Sequence, residues 1–328
     1  MSSSVFTHAL SGNASKLAVK AHASPVRIYC PITLPVSNRP VDLQLRVTSP
    51  ASGTNLPIIL LSHGHGQTDW LSSMYGYSPL AEYYAAHGFV VFQPTHLSSR
   101  MLSLEKPPQG DEMYWQSRPD DMSQILNHLE SIEAVVPELK GRLDTDKVAV
   151  VGHSFGGLTA SMLLGATNTD PRNGSKHDAF DKRIKAGVVI GGPGKGGEDL
   201  SEGAKGLLPF YAPDFSSMRT KTLVVAGDED LSPYLTVRDE TWHADPYTLS
   251  PGPKDLFMVK GAKHTFGGIS GWDSNEIQEE KAKCAEMLGV LQKSTLAWLR
   301  SALYGDGSWE DIRGVIEELG CGIVQSKE

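Results

Sequence analysis

One short segment restricts the fold of this chain more than any other part of its sequence. Residues 152–156 read GHSFG, and they stand between the apolar run Val148–Val151 and the helical pattern LTASMLLG. In this setting, the pattern G-x-S-x-G is typical of a sharp strand-to-helix turn that holds the serine strained, with its hydroxyl exposed at the sheet edge. The two glycines fit because crossing backbones leave no room for side chains. The segment therefore predicts a reactive Ser154 rather than an ordinary glycine-rich turn.

The rest of the chain supplies a sheet for such a turn. Short β-branched and apolar runs alternate with helical periodicity, which predicts a mostly parallel sheet covered by helices on both faces. The later strands are nearly all apolar, as strands buried on both faces are, whereas Val41–Val47 alternates like an exposed antiparallel edge strand. The eight predicted strands are Val26–Tyr29, Val41–Val47, Pro57–Leu61, Phe89–Gln93, Val148–Gly152, Gly187–Ile190, Thr222–Ala226 and Leu256–Val259.

We expect one α/β domain across residues 1–328, because no internal repeat or low-complexity linker divides the chain and 40% of its residues are apolar. Residues 1–24 are predicted to be loosely ordered, and residues 305–328 to form a C-terminal helical extension. Helical patterns lie at Pro79–His87, after Ser117, at Ile277–Leu303 and from Ser308 to Gly320. Polar, Gly- and Pro-rich excursions follow strands at Thr95–Gln116, Gly191–Met218 and Asp228–Lys254. In open α/β sheets, the strand C-terminal ends are where ligands bind.

Charge and cysteine usage exclude several classes of protein. A net charge of −8, from 30 basic and 38 acidic residues, argues against a nucleic-acid partner. No apolar run approaches the roughly 18 to 20 residues that span a bilayer, and residues 1–25 lack the continuous apolar region of a secretory signal. Three scattered cysteines without a C-x-x-C favour reduced thiols over disulfides or zinc. We therefore expect a cytoplasmic protein without a membrane span, and leave a homodimer open.

Several segments beside GHSFGG resemble the α/β-hydrolase fold, in particular the serine esterases grouped with chlorophyllases, platelet-activating-factor acetylhydrolases and dienelactone-hydrolase-like proteins. The matching segments are LLSHGHG at 60–66, RPDD at 118–121, GRLD at 141–144 and DKRIKAG at 181–187. The resemblance covers roughly Pro57 to His264 and implies an α/β-hydrolase fold with loop excursions over the active site. Dienelactone hydrolases proper use a cysteine where this chain has Ser154, so their substrate is not carried over.

In that fold, the acid and the histidine follow the serine in this order. After the strand TLVVA, the family's G-x-x-D spacing counted from Gly227 selects Asp230. After the strand LFMV, the sequence KGAKHTF resembles the family's G-A-x-H loop, which makes His264 the expected general base. The resemblance thus implies hydrolysis of a carboxylic ester through an acyl-enzyme. A lactonase or amidase with the same triad, and a non-catalytic binding protein on this fold, are the alternatives.

The loop at residues 63–66 follows the third predicted strand, where the family supplies half of the oxyanion hole. We expect the backbone N–H groups of His65 and Phe155 to bind the developing oxyanion. A rival interpretation is a metal site, because His63 and His65 form H-x-H with Asp69 nearby. Two imidazoles alone make a weak site and no further ligand follows at a suitable spacing, so we expect no metal.

No organic cofactor is expected either. Residues 192–197 satisfy G-x-G-x-x-G, but no helical pattern opens at once and no acidic residue ends a second strand about 20 residues on, as dinucleotide binding requires. Apolar side chains in the excursions instead suggest a pocket for a small, largely apolar ester. The pocket candidates are Trp70, Tyr75, Met101, Trp115, Phe210 and Leu231.

Overall fold

A nine-stranded sheet forms the centre of the computed structural model, which describes residues 8–66, 68–105, 107, 111–271 and 281–328. Its strands are β1 (Val26–Leu34), β2 (Leu43–Pro50), β3 (Leu56–Ser62), β4 (Val90–Pro94), β5 (Leu143–His153), β8 (Ile184–Ile190), β10 (Lys221–Gly227), β11 (Lys254–Val259) and β12 (Gly322–Lys327). They lie in the order β1-β2-β4-β3-β5-β8-β10-β11-β12, and every neighbouring pair from β4 to β11 is parallel. Three short strands form a second sheet: β6 (Thr167–Thr169), β7 (Lys176–Asp178) and β9 (Pro213–Asp214).

Helices cover both faces of the large sheet. They are α1 (Ser78–Ala86), α2 (Ser117–Asn127), α3 (Leu129–Val135), α4 (Phe155–Leu163), α5 (Glu202–Leu207), α6 (Asp245–Thr248), α7 (Lys281–Tyr304) and α8 (Ser308–Glu318). Alternate residues of β3 enter different cores: Ile59 packs with residues of α1, α7 and α8, whereas Ile58 packs with residues of α2, α3 and α4. Burial on both faces explains why the central strands are almost entirely apolar. None of the described helices is long and apolar enough to cross a bilayer.

All eight predicted strands are present, but two expectations about the sheet were wrong. The strand predicted as Val41–Val47 is antiparallel but lies between β1 and β4, so it is not an edge. The polar residues Thr48 and Ser49 of the observed strand, β2, are fully buried. The ninth strand, β12, was not predicted; it pairs antiparallel with β11 inside the expected helical extension, after α8. Its residues are partly buried or exposed, so no apolar run marks it as a strand, and it is ordered by pairing with a strand distant in sequence.

The described part of the expected loose N-terminal segment is packed rather than loose. Two 3₁₀ turns, His8–Leu10 and Gly12–Lys16, lie against α7. Ala14 and Leu17 are buried, and Lys293 Nζ donates a hydrogen bond to the Leu17 carbonyl at 2.8 Å. The start of the predicted helix at Ile277 lies outside the described residues, which resume at the beginning of α7.

Candidate active site

The turn between β5 and α4 has the geometry that its glycines allow. Ser154 has φ 54° and ψ −124°, a conformation that residues other than glycine rarely adopt. A Cβ at Gly152 would lie 1.9 Å from the Gly156 carbonyl oxygen, and one at Gly156 would lie 2.2 Å from the Ser62 carbonyl oxygen. Both glycines are therefore required by close backbone contacts, and the turn raises the serine above the end of the strand.

Ser154, His264 and Asp230 form one continuous chain of contacts. His264 Nε2 lies 2.9 Å from Ser154 Oγ, and His264 Nδ1 lies 3.0 and 3.1 Å from the two Asp230 oxygens. A carboxylate can only accept, so Nδ1 carries the hydrogen and Nε2 keeps a lone pair for the serine hydroxyl. This is the tautomer in which an imidazole can remove a proton from serine. The structure thus brings together the three residues that the sequence selected.

Asp230 is the deeply placed member of this chain, at 1% exposed. Burial by itself raises the pKa of its carboxyl, but the hydrogen bond from His264 and the surrounding imidazoles outweigh burial and lower the pKa below its usual value. Asp230 is therefore a carboxylate at neutral pH. A Cβ at Gly191, which has φ +50°, would lie 3.2 Å from Asp230 Oδ2, so the backbone closes tightly around the carboxylate.

The loop expected to supply the oxyanion hole lies directly against the serine. A Cβ at Gly64 would be 3.2 Å from Ser154 Cβ. The Gly64 N–H already donates to the Tyr77 hydroxyl at 3.0 Å, so the His65 N–H is the next candidate along the loop. Phe155 is the first residue of α4, whose leading N–H groups have no acceptor within the helix. The two predicted amides thus belong to two segments that adjoin Ser154.

A buried hydrogen-bond chain that sequence reasoning missed connects these loops. Tyr77 OH lies 2.8 Å from His153 Nδ1, and His153 Nε2 lies 2.8 Å from the His264 carbonyl oxygen. Because that carbonyl only accepts, Nε2 carries the hydrogen and Nδ1 accepts from the Tyr77 hydroxyl. Burial, aided by nearby His264, lowers the pKa of His153 to about 3, which keeps the ring neutral. This series of hydrogen bonds from Gly64 to His264 therefore fixes the loop at residues 63–66 (the oxyanion loop) relative to the loop that carries His264 (the histidine loop).

Tyr77→Phe tests this positioning role. The change removes the acceptor of the Gly64 N–H and the donor to His153, so it should destabilise the protein by about 1–3 kcal/mol. We also expect kcat to fall about tenfold, because a small misplacement of catalytic groups slows reaction strongly. Urea unfolding and ester kinetics measure the two effects.

Tyr84→Phe is the matched control for that variant. Tyr84 is equally buried, and its hydroxyl donates to Thr295 Oγ1 at 2.8 Å, away from the triad. This control should lose stability and keep kcat. Equal kcat values for the two variants would refute the positioning role of Tyr77.

A buried guanidinium also hydrogen-bonds to the oxyanion loop. Arg118 is fully buried and donates through Nη2 to the His63 carbonyl and through Nε to Thr159 Oγ1 at 3.0 Å. Its guanidinium lies 4.7 Å from the centre of the Phe155 ring. Burial lowers the pKa of Arg118 to about 9, so the group is still a cation at neutral pH. Arg118 therefore ties the loop after β3 to the first turns of α4.

The sequence pattern His63, His65 and Asp69 does not form a ligand cluster. His63 Nδ1 lies 2.6 Å from the Gly64 carbonyl, and His63 Nε2 accepts the His96 N–H at 3.1 Å, so both ring nitrogens are used. The side chains of His65 and Asp69 are exposed. Among the described residues, a group of metal-ligating side chains does occur elsewhere, at Asp230, His243 and His264.

Two of the six pocket candidates are core residues. Trp115 and Phe210 are buried and stack face to face, with ring centroids 5.1 Å apart. They belong to an apolar cluster that Phe155 adjoins. They support the loops over α4, and their contact with a substrate stays a prediction.

The other four candidates are more open to solvent. Trp70 stacks on Tyr75 with ring centroids 5.0 Å apart and is 59% exposed. Met101 is partly buried, while Leu231, which directly follows the carboxylate of the triad, is 61% exposed. An exposed apolar side chain next to the candidate active site is available to a ligand, although its role as a pocket wall stays a prediction.

Comparison with known proteins agrees with the fold. Residues 58–286 match the family model of the alpha/beta hydrolase family, which is more than half of the chain. A platelet-activating factor acetylhydrolase of Cavia porcellus is 28% identical over 309 aligned residues, covering 81% of this chain and 62% of its own length. Its namesakes from Canis lupus familiaris and Bos taurus are 29% and 26% identical and are covered over 38% and 35% of their lengths. The match thus spans less than two thirds of each of these relatives.

Proposed function

Since this chain belongs to the alpha/beta hydrolase family, we propose that it is a serine esterase acting on carboxylic esters. The family and the relatives support a hydrolase. The observation that carries the finer proposal is the unbroken contact from Ser154 Oγ through His264 to Asp230. A nucleophile, a base with the correct tautomer and a buried carboxylate are the parts that acyl transfer requires.

The first half of the reaction forms an acyl-enzyme. Ser154 Oγ attacks the ester carbonyl carbon while His264 Nε2 takes the serine proton, and the carboxylate of Asp230 stabilises the resulting imidazolium. The carbonyl oxygen becomes an oxyanion, which the N–H groups of His65 and Phe155 bind. The intermediate collapses when the C–O bond to the alcohol breaks, and His264 gives its proton to the departing alkoxide.

The second half restores the enzyme. Water loses a proton to His264 Nε2 as its oxygen attacks the acyl carbon, and the same two amides bind the second oxyanion. Cleavage of the acyl–Oγ bond then returns the proton from His264 to Ser154. The products are a carboxylic acid and an alcohol; the alcohol carries away the proton taken from Ser154, and water supplies the proton that replaces it.

Covalent labelling combined with a substrate series tests the proposal. A fluorophosphonate should modify Ser154, as located by peptide mass spectrometry, and p-nitrophenyl esters of increasing acyl length should be hydrolysed. Because the relatives are named acetylhydrolases, the acetyl ester is the first to compare. The corresponding anilide and a lactone separate an esterase from an amidase or a lactonase with the same triad. Absence of labelling at Ser154 would favour a binding protein.

Activity should survive strong chelators and rise with pH as His264 loses its proton. The nucleophile and the base are both side chains in direct contact, and only a neutral imidazole can accept the serine proton. Initial rates before and after dialysis against EDTA, measured from about pH 5 to pH 8, check this expectation. Loss of activity that added zinc restores would contradict it.

A further inference from the structure

A second histidine faces the carboxylate of the candidate triad. His243 is 1% exposed, and its Nε2 lies 3.4 Å from Asp230 Oδ1. Its Nδ1 lies 3.0 Å from the Gly192 carbonyl oxygen, which can only accept, so Nδ1 carries the hydrogen of the neutral ring. The lone pair of His243 Nε2 is therefore on the ring nitrogen that faces the Asp230 carboxylate.

The polarity of this arrangement suits a cation. Burial lowers the pKa of His243, although the charge of Asp230 opposes this, so the ring is mainly neutral at neutral pH. Ser232 Oγ, 3.2 Å from Nε2, can donate its single hydrogen to the ring. The imidazole lone pair and the carboxylate oxygen nevertheless lie next to each other, and both are ligands for transition metals.

Two of the distances are close to those around a small tetrahedral ion. With zinc–ligand bonds of about 2.0–2.1 Å, the ligand atoms of a tetrahedral site lie about 3.3–3.4 Å apart. Asp230 is 3.4 Å from His243 and 3.0 Å from His264, and one ligand atom from each of the three residues lies within 4.8 Å of the other two. The His264 side chain is 29% exposed, so it is accessible to an ion entering from solvent.

We propose that Asp230, His243 and His264 form an inhibitory site for a divalent transition metal of the zinc class. Metal binding itself follows from the three side chains, whereas inhibition also rests on the proposed function. Two imidazoles and one carboxylate favour zinc or copper over magnesium and calcium, which prefer oxygen ligands. The ligands are thus the acid and the base of the triad together with one residue outside it.

Occupation of this site would stop the reaction by exchanging the tautomer of His264. The metal takes the lone pair at Nδ1, so the hydrogen on Nδ1 is released to water and Nε2 takes one up; the ring remains neutral and nothing is oxidised or reduced. Nε2–H then faces Ser154 Oγ, 2.9 Å away, and has no lone pair to accept the serine proton. The metal also withdraws the Asp230 carboxylate from His264.

Binding and inhibition are measured separately on the full chain. Calorimetric titration with Zn²⁺ and the visible spectrum of added Co²⁺ report binding, and the ester rate at increasing Zn²⁺, Cu²⁺ or Mg²⁺ reports inhibition. We expect one Zn²⁺ per chain, inhibition by Zn²⁺ that EDTA reverses, and no inhibition by Mg²⁺. Ser154→Ala should bind Zn²⁺ like the wild type, because the serine is not a ligand.

His243→Gln removes one ligand without changing the triad. It should weaken Zn²⁺ binding at least about tenfold and shift inhibition, relative to its own zinc-free rate, by the same factor. His22→Gln is the control for binding by an exposed surface histidine and should change neither value. If His243→Gln fails to fold, Asp230→Asn should show the same weakening by calorimetry.

The outcomes separate the two proposals. Unchanged Zn²⁺ affinity in His243→Gln or in Asp230→Asn overturns the metal site, and so does an active enzyme that neither binds nor is inhibited by Zn²⁺. Zinc binding that depends on His243 in a protein without hydrolase activity would support the metal site and remove the proposed esterase function.

Discussion

Ser154→Ala should lower ester turnover by about 10⁴- to 10⁶-fold while the protein remains folded. The substitution removes the oxygen that forms the acyl-enzyme, so the covalent route is lost. The amides of His65 and Phe155 and the binding of substrate still operate, and they leave a small residual rate. No other single change proposed for this protein should reduce turnover as far.

The fold should tolerate this change because little of it depends on the serine side chain. The Ser154 hydroxyl contacts His264 Nε2, whereas the turn is held by the glycine contacts and by the Ser154 N–H, which donates to the Ile190 carbonyl at 2.9 Å. Thermal unfolding and kcat/KM for one ester are the measurements. Ser217→Ala is the matched control, because Ser217 is an exposed residue outside the site and its hydroxyl also makes one hydrogen bond, to the Gly165 carbonyl at 2.8 Å. Wild-type turnover in Ser154→Ala would remove the proposed mechanism altogether.

The parts of the fold that were predictable are those whose cause is local. β3 is apolar from Leu56 to Leu61 because both of its faces are buried, and its sequence shows this directly. The turn at Ser154 was equally readable, since the backbone contact that excludes a side chain at Gly152 is made with Gly156, four residues away. In both cases the sequence signal lies within the segment itself.

The parts that were missed depend on partners far along the chain. β12 has no buried apolar run of its own, and its pairing is with β11, more than sixty residues earlier. β2 has the alternation of an edge strand, and only the presence of β1 beside it makes it an interior one. Likewise, Leu17 is buried in the same apolar cluster as Leu291 and Leu296 of α7. Short segments do not reveal which distant segment will cover them.

The same distinction applies to the candidate site. The order of serine, acid and histidine along the chain was enough to select Ser154, Asp230 and His264 as candidates. Each of them follows a strand of a parallel sheet, and such strand ends meet at one edge. Tyr77 directly precedes α1 and His243 lies in the excursion after β10; no periodicity determines the paths of these loops, so the contacts with His153 and Asp230 were not foreseen. The histidine at position 153 was the one available signal, since it lies inside the G-x-S-x-G segment itself.

Asp230→Asn should lower kcat by up to about 10⁴, and this result would decide among the three acidic residues that follow β10. The carboxylate accepts the hydrogen on His264 Nδ1, whereas an amide can present its own N–H groups there and favour the tautomer with the hydrogen on Nε2. In that tautomer the ring cannot take the proton of Ser154. The charge that stabilises the imidazolium is lost as well.

Asp228→Asn is the matched control, because the structure gives this neighbour a different role. Asp228 is exposed, and its Oδ1 accepts the Gly261 N–H at 2.6 Å, so it caps the turn that leads to the histidine loop. Asparagine keeps an acceptor oxygen, and the change should reduce the free energy of unfolding by about 1 kcal/mol with little effect on kcat. Kinetics and urea unfolding of both variants are the measurements. If the large kinetic loss followed Asp228→Asn instead, Asp230 would lose its assignment while Ser154 and His264 kept theirs, because their contact does not depend on which carboxylate orients the ring.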